Sequence, residues 1–243
     1  MINKIVPSIA HALGGLPDGA TIHISGFGNA GNPTDLVHGL IDQGASGLTV
    51  VNNNAGNGHV GLAALLEAER VAKIICSFPR SNDPVVFESL FRAGKIQLET
   101  VPQGTLAERI RIAGVGIGGF FTPTTVGTPL AEGKEERVID GRHMVLEVPL
   151  HADFALIKAY KSDRFGNLYY RRAARNFAPL MAMAAKTTVV QVQHIVEAGE
   201  LEPESVMTPG IFVDRVVHVP TPTDENALHE ADKRARAEKG ERS

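Results

Sequence analysis

The chain has 243 residues, 43% of them hydrophobic and 21% charged, which suits one large α/β domain and excludes a disordered chain. Its 24 basic and 27 acidic residues leave a formal charge of −3, so the composition carries no basic footprint for nucleic acid or an anionic membrane. Cys76 is the single cysteine, which excludes an intrachain disulfide or a thiolate metal cage and suits a reducing cytoplasm.

Strand-like and helix-like segments alternate along the chain. "ATIHIS" (20–25) reads as a strand, and "PTDLVHGLIDQG" (33–44) carries a helical apolar stripe at positions 36, 37, 40 and 41. "GLTVVNN" (47–53) is a short β-branched strand, followed by a glycine-rich turn and the helical "GLAALLEAE" (61–69). "AKIICSF" (72–78) and "IQLETVP" (96–102) are strands separated by the helix "PVVFESLFRAG" (84–94), and "GTLAERIRIAG" (104–114) is a further helix. "HMVLEVPL" (143–150), "FALIKAY" (154–160) and "TTVVQVQ" (187–193) are strands of the second half. Repeated βα units predict an open, mainly parallel sheet with helices on both faces, and the run of later strands predicts some antiparallel pairing. The domain spans 1–220. From 221 to 243 the chain is charged and poor in large apolar residues, which predicts a solvated helix with a frayed end. No run approaches ~18 consecutive apolar residues and the N-terminus lacks a signal-peptide pattern, so a soluble cytoplasmic protein is expected.

Within "TIHISGFGNAGNPTDLV", Gly26, Gly28 and Gly31 satisfy the spacing of a dinucleotide-binding loop. The context does not: the following strand ends in Asn52, Asn53 and Asn54 instead of an acid for the ribose, and Asn32-Pro33 predicts an N-cap followed by proline at the first helical position. A second match at Gly114, Gly116 and Gly119 shows how little the spacing specifies, and turn formation suffices there. Glycines at 26–31 still permit close approach of backbone N–H groups to an anion or a polarised carbonyl, at the end of a parallel strand where open α/β sheets bind ligands. "NNNAGNG" (52–58) follows the next strand and fits either turn chemistry or substrate-orienting amides. Gln103, at a third strand end, is a neutral donor suited to an oxyanion.

Three strand ends thus carry neutral donors, but no nucleophile accompanies them. No Gly-x-Ser-x-Gly elbow occurs, the histidines are scattered, and "HAD" (151–153) fits capping better than metal ligation. Cys76 lies mid-strand as inert core, Glu108 pairs with neighbouring arginines on a surface helix, and Glu147 is the other acid close to these loops in sequence.

The blocks "DGATIHISGFGNAGNP", "LTVVNNNAG", "VPQGTLAERIR", "FTPTTVGTPLAEGKE", "GNLYYRRAARNF" and "TPGIFVDRVV", in that order from about 18 to 217, resemble the first (A) subunit of the family I CoA-transferases. Ser25 departs from the pattern, since the family usually begins that turn with a glycine. The resemblance implies an open three-layer α/β fold shared with sugar-phosphate isomerases, CoA as a substrate, and no metal or permanently bound cofactor. It implies that residues Ser25, Gly26, Phe27, Gly28, Asn29, Ala30 and Gly31 bind CoA, that Gln103 helps hold the thioester oxygen, and that Asn53 and Asn54 face the substrate. The family's nucleophilic glutamate sits in a Ser-Glu-Asn-Gly-type motif of a second (B) subunit, and no such motif occurs here. A hetero-oligomer such as A2B2 is therefore expected, working by a ping-pong glutamyl-CoA route. "CSFPR" and "EVPLHADFALIKAYKSDRFGNLYYR" are similar to the branch moving CoA from succinyl-CoA to 3-oxoadipate, whose remote carboxylate calls for a cation: Arg80, or one of Arg171, Arg172 and Arg175. The alternatives are an acetoacetate-type 3-oxoacid transferase or a non-catalytic phosphometabolite-binding module.

Overall fold

The computed structural model describes residues 2–240. Its strands are β1 (Ile5–Val6), β2 (Thr21–Ile24), β3 (Leu48–Val51), β4 (Val71–Cys76), β5 (Gln97–Thr100), β6 (Phe120–Thr122), β7 (Glu136–Ile139), β8 (Arg142–Glu147), β9 (Ala152–Ser162), β10 (Leu168–Tyr169), β11 (Ala185–Ile195) and β12 (Arg215–His218). Its α-helices are α1 (Ile9–Ala12), α2 (Thr34–Gln43), α3 (Leu62–Glu67), α4 (Val85–Arg92), α5 (Gln103–Val115), α6 (Ala178–Ala184) and α7 (Glu225–Glu238).

The main sheet runs β1-β12-β11-β9-β2-β3-β4-β5, all parallel, with β10 added antiparallel to β9. The expected antiparallel pairing is found in a separate small sheet, β6-β8-β7. Successive residues of a strand face opposite ways, so each central strand feeds two cores. On β9, Leu156 joins the core under α1 to α4, while Ala155 and Ile157 join the core under α5 and α6. Helices therefore cover both faces, and a sheet buried on both sides accounts for near-continuous apolar strands such as "LTVV".

The chain builds β2 to β5 outward in one direction, then returns to place β9 on the other side of β2. This reversal is a topological switch point, where the loops leaving the carboxyl ends of adjacent strands diverge and open a crevice. The loops after β2, β3, β4 and β5 all leave at that edge.

Two local expectations need correction. Asn32 does not cap α2: the helix starts at Thr34 after Pro33 with no side-chain cap from its own chain end. Instead Gln191 Oε1, on β11, accepts from the Leu36 N–H at 3.1 Å, and Asn32 is free for another role. The C-terminal segment is helical, but α7 is not solvated all round, because Glu225, His229 and Arg236 are buried against the domain. The last residues of the segment expected to fray, 241–243, lie outside the described residues. Of the second glycine set, Gly114 lies inside α5, where a β-carbon would sit 2.5 Å from that of Met183, and Gly116, in the left-handed region, makes the turn that ends the helix.

Candidate functional site

The loop after β2 is fixed from within and from behind. Ser25 is fully buried, its N–H continues the ladder to Leu156, and its Oγ donates to the Gly31 carbonyl at 2.8 Å. Its backbone is not in the left-handed region, so the position tolerates serine; Gly26, at φ 138°, is the residue that needs to be glycine. A β-carbon on Gly26 would overlap the Asn32 amide, and one on Gly31 would sit 2.6 Å from the Ala174 carbonyl. Asn176, in the segment "RAARNF", buttresses the loop. Its Oδ1 accepts from the Gly26 N–H at 3.2 Å and its Nδ2 donates to the Ala30 carbonyl at 2.9 Å. Sequence alone does not point to Asn176, because nothing local links position 176 to position 26.

The loop after β3 shows that turn chemistry and ligand orientation coexist. Asn52 Oδ1 accepts from Asn54 N–H, and Asn54 Oδ1 accepts from Gly56 N–H, forming successive Asx turns. Those bonds occupy oxygens and leave the amide nitrogen of Asn54 for other partners. Asn53 Oδ1 accepts from Ser77 Oγ at 2.7 Å and from Gln103 Nε2 at 3.2 Å. One N–H of Gln103, the first residue of α5, is thus held while its second remains free to donate.

These loops enclose a cavity of about 600 Å³. Phe27, Gly28 and Asn29 line it from the β2 loop, and Asn53, Asn54 and Asn57 from the β3 loop. Ser77, Phe78, Ser81 and Asn82 contribute from the segment after β4, Gln103 from α5 and Asn226 from α7. Phe27 and Phe78 are 49% and 60% exposed at its mouth. The structure unites Phe27, Gly28, Asn29, Asn53, Asn54 and Gln103, all expected at the site from the sequence. Asn57, Ser77, Phe78, Ser81, Asn82 and Asn226 are additions to that set, although Asn57 lies in the "NNNAGNG" turn and Ser77 and Phe78 end the expected strand at 72–78. Of the β2-loop residues, Ser25, Gly26, Ala30 and Gly31 form the frame of the loop and do not line the cavity.

Every described residue lining the cavity is uncharged. Ser77 and Ser81 donate only to Asn53, Asn57 and the Gly56 carbonyl, and neither hydroxyl bonds a histidine among the described residues. Glu147 is buried elsewhere, paired with Lys134 at 2.5 Å, and Glu108 pairs with Arg111. Burial pushes the Cys76 thiol up to about 12, so it stays protonated and unreactive at neutral pH. Asp153 of "HAD" accepts from Thr21 N–H and pairs with Lys186, and no cluster of three or more metal-ligating side chains occurs among the described residues. Arg80 is outside the lining, its Nε 2.9 Å from Glu88. Arg172 and Arg175 line a separate cavity of about 520 Å³ beside Asn176, and Arg171 lies over the Tyr160 ring at 5.4 Å. The cavity can therefore polarise and orient a carbonyl, while its own side chains supply no carboxylate nucleophile.

Among the described residues, no helix is long and apolar enough to cross a membrane. The chain is 65% identical over 219 residues to the A subunit of 3-oxoadipate CoA-transferase from Pseudomonas putida, covering 90% of this chain and 95% of that one. It is 59% identical to the same subunit of the Acinetobacter baylyi enzyme, covering 90% and 96%. The fold is similar to that of glutaconate coenzyme A-transferase from Acidaminococcus fermentans, with a TM-score of 0.82 and 21% identity over 95% of this chain and 83% of that one. The Coenzyme A transferase family model matches residues 6–219, nearly the whole domain, and the chain belongs to that family.

Proposed function

We propose that this chain is the first of two subunits, A and B, of a cytoplasmic CoA-transferase that moves CoA from succinyl-CoA to 3-oxoadipate, an acid of aromatic-compound breakdown. The observation that carries the reading is a cavity of amide donors lacking any carboxylate of its own, beside two exposed phenylalanines that the B subunit would cover. The names of the two relatives support both the substrate and the place of this chain in a two-subunit enzyme.

In this reading the attack on the succinyl thioester carbonyl comes from a glutamate of the B subunit. The free N–H of Gln103 stabilises the tetrahedral oxyanion, with Asn53 holding the glutamine in place. Collapse expels the CoA thiolate and leaves an acyl-glutamyl anhydride. The thiolate then attacks the glutamyl carbonyl, succinate leaves, and a glutamyl-CoA thioester remains. 3-Oxoadipate reverses the sequence and departs as its CoA ester. CoA is a substrate here, and neither a metal nor a resident cofactor enters any step. The 25–31 loop binds CoA through Phe27, Gly28 and Asn29, which face the cavity, with Ser25, Gly26, Ala30 and Gly31 framing them, and Asn54 orients the acyl group. Arg80, next to the lining residue Ser81, recognises the remote carboxylate of the acceptor on giving up Glu88. Co-purification of the tagged chain tests the reading: the expected result is a CoA-transferase B subunit in a hetero-oligomer such as A2B2. That complex should use 3-oxoadipate in preference to acetoacetate. Preference for acetoacetate would overturn the substrate, and a lone chain binding phosphometabolites without transfer would overturn the function.

A further inference from the structure

Helix α7 follows the residues matched by the family model, yet it buries charge and exposes leucine. Glu225, His229 and Arg236 face inward while Leu228 is 38% exposed. Desolvating ionisable groups is unfavourable unless each finds a partner, and buried pairs contribute geometry more than net stability. Here each has one. Arg236 pairs with both oxygens of Asp83, and His229 Nε2 lies 2.9 Å from the same carboxylate. Glu225 accepts from Asn32 Nδ2 at 2.7 Å and from Thr34 Oγ1 at 2.5 Å. The helix thereby grips the β2 loop and the segment after β4 at once. It also packs against the turn before α3, where a β-carbon on Gly61 would lie 2.7 Å from Glu225 Oε2.

From this anchored helix Asn226 reaches the cavity. Its Oδ1 accepts from Asn29 Nδ2 at 2.6 Å, Asn29 Oδ1 accepts from Asn57 Nδ2 at 3.3 Å, and Asn57 Oδ1 accepts from Ser81 Oγ at 2.8 Å. This chain of bonds uses the oxygen of Asn226 and leaves its Nδ2 without a partner among the described residues. Asp224, two residues before it, caps α7 by accepting from the N–H groups of Asn226 and Ala227, which leaves the Asn226 amide as a neutral donor for a carbonyl. The uncharged lining and the phenylalanines at the mouth fit the same kind of ligand.

We propose that α7 is a working wall of the cavity, in which Asn226 binds a carbonyl of the uncharged, amide-bearing pantetheine arm of CoA and the Asp83–His229–Arg236 cluster locks it in place. The inference rests on the CoA-transferase reading. Its test is binding of free CoA and of pantetheine to the co-purified complex, by calorimetry, for wild type, Asn226→Ala and Arg236→Gln. Loss of one hydrogen bond should weaken both ligands by about five- to tenfold in Asn226→Ala, with succinate binding unchanged. Arg236→Gln should weaken both ligands as well and raise amide hydrogen exchange in 225–238, 26–32 and 81–83 together. Wild-type binding of both ligands by Asn226→Ala overturns the role of Asn226. Faster exchange confined to 225–238 overturns the lock. A wild-type complex that binds no CoA overturns the transferase reading itself, a result distinct from either.

Discussion

Replacing Gly31 by alanine separates backbone conformation from packing in the β2 loop. Gly31 has φ 80°, and its β-carbon would lie 2.6 Å from the Ala174 carbonyl and 2.9 Å from Asn176 Nδ2. The left-handed conformation costs alanine about 1 kcal/mol. The contact with backbone oxygen cannot be relieved by a rotamer change, so the loop must move. That movement breaks the bond from Ser25 Oγ to the Gly31 carbonyl and the bond from Asn176 Nδ2 to the Ala30 carbonyl, each worth roughly 0.5–1.5 kcal/mol. The sum is about 2–4 kcal/mol, a fall in melting temperature of roughly 4–16 °C for a domain of this size. Gly28→Ala is the control: φ is 57° and nothing lies within 4 Å of the added carbon, so only the conformational cost of about 1 kcal/mol applies. Thermal unfolding of both variants, followed by circular dichroism, measures the difference. Equal melting temperatures for the two variants would refute the claim that Ala174 and Asn176 clamp the loop.

Gln103→Ala in the two-subunit complex should lower kcat by roughly 10² or more, the usual effect of removing one oxyanion donor; an unchanged kcat would remove Gln103 from the chemistry. His23 is fully buried, and that desolvation, reinforced by His151, lowers its pKa to about 3, against 6.5 when unfolded. Below pH 6.5 the unfolded chain therefore takes up a proton that the folded chain refuses. Stability should fall by about 1.4 kcal/mol per pH unit from this group between about pH 6.5 and 3, and be unaffected by it above that range. Denaturant unfolding of wild type and His23→Leu between pH 7 and 5 checks this, since the variant should lose that part of the slope; parallel slopes would contradict it.

The architecture was legible where local pattern and tertiary demand coincide. The β-branched run at 48–51 and the apolar stripe of α2 each announce their element, because the period of burial is written in adjacent residues. The strand-end donors Asn53, Asn54 and Gln103 were legible too, since a parallel sheet delivers successive strand ends to one edge. Contacts between distant segments were not. Asn32 looks like a helix cap until Glu225, from the far end of the chain, takes its amide. The C-terminal segment reads as a solvated helix because its inward face is made of Glu225, His229 and Arg236. Only Asp83 and the β2 loop, invisible to any helical periodicity, make that face a buried one.

If this chain supplies donors and loops, the covalent chemistry belongs to the B subunit. Incubating the complex with succinyl-CoA, reducing the trapped thioester with borohydride and mapping the modified glutamate by peptide mass spectrometry tests that division directly. The predicted result is a reduced glutamate in the B subunit, with none on this chain. A modified glutamate on this chain, Glu147 included, would contradict it.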